Sequence, residues 1–143
     1  MALFTTLHRL LGLDPQPISD DLIDAAVDAG LRETDGLDWK DRLPPQKGLT
    51  ETDFPKDVAA MANSGGGVLV YGVEETEKAA TARVDAGELD EHLERALRAA
   101  AASAIRPPVL GLGVHAVGEP GRRAVAVVVP SSPDGPHLIF RNQ

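Results

Sequence analysis

Apolar residues recur at helical spacing at the start of the chain, at Leu3, Leu7, Leu10 and Leu11, which predicts a short helix there. Pro15 and Pro17 interrupt it. Ser19 then offers an N-cap to a second helix, with Leu22, Ile23, Ala26 and Val27 on one face and Gly30 at its end. Leu37 and Trp39 alternate with Asp38 and Lys40, the period of a half-buried strand. After a loop at Pro44, Pro45 and Gly48, Thr50 or Thr52 caps a third helix with Pro55 in its first turn. Phe54, Val58, Met61 and Ala62 form its apolar stripe, and the run from Asn63 to Gly67 stops it. Val68–Val73 is continuously apolar, as in a central strand covered on both faces.

The pattern continues with a helix near 88–103, carried by Leu89, Leu93, Ala96, Leu97 and Ala100 and closed by Pro107 and Pro108. Val109–Val117 and Ala124–Val129 read as strands joined through Gly118-Glu119-Pro120-Gly121, with Arg122 and Arg123 leading into the second. His137–Phe140 is a candidate last strand. The chain stops soon after, at Gln143, so further polypeptide is expected to follow in a longer protein. Together these elements predict an α/β (α+β) fold: one domain, a mixed sheet of about five strands with flanking helices, and an N-terminal helical extension over residues 1–30.

Composition narrows the chemistry. The 143 residues fit one domain. The absence of Cys removes disulfides, thiolate zinc sites and a Cys nucleophile, and fits a reducing, cytoplasmic setting. No apolar run approaches the ~20 residues of a membrane span. With 14 Lys and Arg against 22 Asp and Glu, the net charge is −8. Such a chain binds nucleic acid only through a local basic face, because phosphate neutralisation drives that binding. An acidic balance also suits a carboxylate-lined site that uses a metal.

Two constellations carry candidate chemistry. Glu33 and Asp38 flank Gly36, which lets the chain bend, and Lys40 shares the Asp38 face of the strand. Two carboxylates and a Lys suit phosphodiester hydrolysis, with the acids holding a divalent metal and the ammonium offsetting developing charge. The alternative is a solvated strand face with an ion pair. The second constellation is Ser64-Gly65-Gly66-Gly67, after a helix and before a strand. It suits an anion-binding turn or, alternatively, a helix C-cap with close helix–strand packing. At least one of these glycines is expected at positive φ. Lys40, Arg42, Arg122 and Arg123 are candidate phosphate contacts. Arg95, Arg98 and Arg106 offer others, although Glu91 and Glu94 stand at pairing distance along the helix. His8, His92, His115 and His137 have no ligand spacing, and aromatics at 3% offer no stacking platform, which argues against single-strand recognition by base stacking.

The ordered set is Glu33, Asp38-Trp39-Lys40, the run from Ala60 to Gly67, and Gly72-Val73-Glu74-Glu75, followed by Pro107 and Val129-Pro130. This set resembles the Schlafen AlbA-type domain over roughly residues 31–140, and places that domain at 31–143. The resemblance implies a mixed sheet with flanking helices and a nucleic-acid partner. Bacterial members are usually described as DNA-binding. Schlafen members are described as endoribonucleases that cleave tRNA or rRNA with three acids and a divalent metal, Mg²⁺ or Mn²⁺. Two acids carry over to Glu33 and Asp38, and the third to Glu74 or Glu75, with Lys40 beside them. Here Asp38 replaces the commoner Glu, Trp39 a Phe, and Glu74-Glu75 the more usual Asp. Nuclease members clamp RNA between two such lobes, so a single lobe implies a homodimer. The competing expectations are a non-catalytic DNA- or RNA-binding module and a nucleotide-binding or protein-interaction domain.

Overall fold

The structure is a computed structural model describing residues 2–139. Two short helices, α1 (Thr6–Leu11) and α2 (Asp20–Asp28), precede strand β1 (Leu37–Lys40). A 3₁₀ turn (Leu49–Glu51) leads into α3 (Phe54–Asn63) and then β2 (Gly67–Tyr71), β3 (Val73–Thr76) and β4 (Ala79–Arg83). Helix α4 (Glu91–Ser103) follows, then β5 (Ile105–Arg106), β6 (Gly113–Val117), β7 (Ala124–Val129) and β8 (Leu138–Ile139).

The main sheet is mixed, in the order β1-β2-β7-β6. β1 runs parallel to β2 with α3 as the crossover, and Lys40 stands opposite Tyr71. β7 is antiparallel to both β2 and β6. Alternation along the central strands sorts the core into two layers. Leu69, Tyr71, Val125, Val127 and Val129 pack with Phe54, Val58 and Met61 of α3 and Leu93 and Leu97 of α4. Val68, Val70, Ala124 and Ala126 face the other way, against Leu7, Leu22 and Ile23 from α1 and α2, with Leu37 and Trp39 of β1. The N-terminal helices therefore form the second covering layer of the sheet, a closer role than that of an appended extension. Arg83 helps seat α2. Its guanidinium, almost wholly buried, meets Asp20 and Asp24 at 2.7 and 2.8 Å.

Several sequence expectations hold at residue level. Ser19 caps α2 through Leu22 N–H at 3.1 Å, α3 begins at Phe54 with Pro55 in its first turn, and Leu37 and Trp39 are buried while Asp38 and Lys40 are half-exposed. The mixed sheet with flanking helices is as expected: its main body has four strands, and the remaining strands pair two by two, β3 with β4 and β5 with β8. Other expectations are corrected. The apolar run Val68–Val73 is broken at Gly72, whose φ of 103° turns the chain out of the sheet and into the β3–β4 hairpin. The strand expected over Val109–Val117 begins only at Gly113, after Pro107, Pro108 and a left-handed Gly111. The last strand covers Leu138 and Ile139, while Phe140 lies outside the described residues. It is tied down by Asn63, at the end of α3, whose amide exchanges two hydrogen bonds with the His137 backbone at 2.7 and 3.0 Å. No helix among the described residues is long and apolar enough to cross a membrane.

Candidate functional site

An open cleft of about 380 Å³ lies between the exposed face of β1 and helix α3. Glu33, Asp38 and Lys40 line it from one side, and Asp57, Met61 and Ser64 from the other. The local fold explains each placement. Glu33 donates its N–H to Lys78 O in the β3–β4 turn at 2.8 Å, so the hairpin holds the segment that approaches β1. Its carboxylate accepts Trp39 N–H at 3.0 Å, and Trp39 is fixed in turn by its indole N–H on Leu31 O at 2.9 Å. This brings Glu33 into hydrogen-bonding contact with Asp38. Burial, that contact and the negative charges of Asp38 and Glu75 raise the Glu33 pKa to about 7, although Trp39 N–H works against the rise.

Lys40 bridges the two walls, with Nζ 3.4 Å from Asp38 and 3.5 Å from Asp57. Burial opposes its charge, yet the two carboxylates outweigh burial and hold its pKa above the ordinary value. Asp57 is raised, first by burial and also by Asp38, against the pull of Lys40. Tyr71, buried at the Lys40 end, is pushed upward by burial and by the Asp57 and Asp38 charges. Arg42 is exposed beyond that end, in a hollow it shares with Lys40, Asp57 and Tyr71.

Asp57 is the site residue that the sequence reading missed. It occupies the first turn of α3, an ordinary place for an acid near a helix N-terminus. The available signal was helical spacing: Asp57, Ala60, Met61 and Ser64 fall at i, i+3, i+4 and i+7, one face of the helix.

The remaining candidates are distributed differently. Glu74 and Glu75 both lie exposed on β3, where the ladder slips beside them. Glu75 adds its charge to the field at Glu33, but its carboxylate accepts the Lys78 N–H. Among the described residues no three acidic or imidazole groups stand together as a metal-binding set. Glu33 and Asp38 interact directly, and Glu75 reaches Glu33 only through its charge.

In the glycine turn, Gly65 and Gly66 have φ of 93° and 89°, and Gly66 N–H caps α3 on Met61 O at 2.8 Å. A Cβ on Gly67 would come within 2.6 Å of Gly36 O. Capping and close packing therefore account for these glycines, and Ser64 is the member of the group that lines the cleft. Arg122 and Arg123 lie just before β7, as expected. Arg122 pairs with Asp20 and Asp24 at 3.3 and 2.7 Å, and Arg123 with Asp85 at 2.8 Å. Phosphate contact at either would have to displace a carboxylate. Arg95 and Arg98 pair with Glu91 and Glu94 along α4.

The fold is similar to that of the N-terminal domain of a RecG-related protein from Nitrosomonas europaea. The TM-score is 0.58 at 19% identity, over 82% of this chain and 80% of that one. It is also similar to the DIP2311 protein from Corynebacterium diphtheriae, with a TM-score of 0.51 at 20% identity over 84% of this chain. The chain spans only 24% of that protein. No curated protein matches the sequence. The motifs that build the cleft fall inside a match over residues 33–143, and by that match the chain belongs to the family described as Schlafen, AlbA_2.

Proposed function

We propose that this is a nucleic-acid-directed domain whose Glu33–Asp38 cleft engages the phosphodiester backbone of structured RNA, such as tRNA, and supports its hydrolysis with Mg²⁺ or Mn²⁺. Family membership supports the nucleic-acid partner. The observation that carries the reading is the pair itself: two carboxylates in contact at the wall of an open cleft, at a cost in charge repulsion.

Hard cations take oxygen ligands, and Mg²⁺ commonly binds through one or two carboxylates plus substrate phosphate. Glu33 and Asp38 fit that donor set. When bound, the cation would neutralise phosphate charge and lower the pKa of its water. Trp39 N–H orients Glu33. Lys40, held by Asp38 and Asp57, presents an ammonium to the phosphate. Arg42 extends the positive charge beyond the end of β1.

A non-catalytic binding module is the second reading. It is favoured by Lys40, which already offsets the acids, and by the lack of a third ligand among the described residues.

Incubation with end-labelled tRNA and Mn²⁺ tests the two. Cleavage is expected, and Glu33→Gln should reduce it by roughly 100-fold or more with binding retained. Binding without cleavage in the wild-type chain would leave the module. Neither binding nor cleavage would overturn both.

A further inference from the structure

A second hollow, of about 330 Å³, lies across the glycine turn from the acidic cleft. Ser64 lines the cleft and Gly65–Gly67 line the hollow, so the two meet at the glycine turn. Phe4 and Arg9, from the α1 segment, form the far wall of the hollow. This segment lies outside the family match.

Phe4 is 57% exposed, yet its surroundings hold it in place. Leu3 and Gln16 exchange backbone hydrogen bonds at 3.1 and 2.9 Å just before it. Thr5 N–H donates to His8 Nδ1 at 2.9 Å just after it. The Phe4 ring stacks on the fully buried His8 ring, with centroids 6.0 Å apart and planes 27° apart.

Arg9 shares with Arg32 and Arg42 the lack of an ion pair among the described residues, and of the three it alone lines this hollow. Arg83, Arg95, Arg98, Arg122 and Arg123 are all bound to carboxylates. Arg9 has no ion pair or side-chain hydrogen bond among the described residues. An exposed aromatic face beside an unpaired guanidinium suits a stacked base with its phosphate, since every base has a π-face and Arg meets phosphate well.

We propose that Phe4 and Arg9 form a subsite for one unpaired nucleotide of the nucleic acid held in the cleft, Phe4 stacking the base and Arg9 meeting a phosphate. This rests on the nucleic-acid reading above. It adds that the substrate carries a single-stranded segment next to the engaged phosphodiester.

The test is fluorescence anisotropy with the full chain and two labelled RNAs, a single-stranded oligonucleotide and a blunt duplex, across a salt series. Phe4→Leu should weaken single-strand binding roughly 5- to 150-fold, the range of one stacked base, and leave duplex binding within about twofold. Phe4→Trp should restore it. Arg9→Gln should lower the salt slope by about 0.7, the loss of one phosphate contact on a single strand. Unaltered melting temperatures would exclude unfolding as the cause. Wild-type binding that Phe4→Leu and Arg9→Gln both leave unchanged would remove the subsite and spare the cleft. A wild-type chain that binds neither RNA would remove the nucleic-acid reading itself.

Discussion

Glu33→Gln should stabilise the fold at pH 8 by on the order of 1 kcal/mol, while leaving stability near pH 4.5 unchanged. The sign follows from the raised pKa. In the folded chain Glu33 titrates at about 7, against an ordinary value of 4.5, so the folded state binds a proton that the unfolded state releases. Stability therefore falls as pH rises from about 4.5 through 7. Solvent screening around the partly exposed group keeps the penalty well below the full value of the shift. Glutamine imitates the protonated acid. Its carbonyl accepts Trp39 N–H, as Glu33 does now, and its amide donates to Asp38. Urea unfolding at the two pH values measures the effect. A variant less stable than wild type at both would make the pair a structural contact.

Gly72→Ala should cost about 3 kcal/mol or more, combining a left-handed φ that Ala resists with overpacking. A Cβ at Gly72 would run into Arg123 O and lie 3.0 Å from Ala124 Cα. Both are backbone atoms of the paired strand and cannot turn aside. Gly72 also donates its N–H to Lys40 O at 2.8 Å and accepts Val84 N–H at 2.9 Å, so strain there reaches both the cleft and the hairpin. Gly87→Ala is the control. Its φ is 97°, but a Cβ there meets open space, so only the backbone penalty of roughly 1–2 kcal/mol applies. Equal urea midpoints for the two variants would show that the crowding at Gly72 relaxes.

The same glycine marks where the sequence was legible and where it was not. Periodicity identified β1, α3 and the core of β2 because burial on defined faces imposes a period. Within Val68–Val73, however, hydrophobicity alone does not distinguish a residue that continues a strand from one that turns out of it. The β3–β4 hairpin went unread because Glu77 and Lys78 occupy its turn at φ of 51° and 70°. That geometry ordinarily calls for Gly, Asn or Asp. The Glu33–Asp38 contact was legible from the bend at Gly36. Asp57 was not, because its role depends on how α3 crosses the sheet. The pairing of Arg122 and Arg123 depends on contacts with Asp20, Asp24 and Asp85, from 38 to 102 residues away in sequence. No local pattern records contacts of that range.

Placement of the nucleic-acid site in the cleft is tested most directly by amide NMR spectra of the ¹⁵N-labelled 15.1 kDa chain during titration with a short RNA. The expected shifts cluster at Glu33, Asp38, Lys40, Asp57 and Ser64, with Arg122, Arg123 and the α2 amides silent. Shifts centred on Arg122 and Arg123, with the cleft unmoved, would contradict the account.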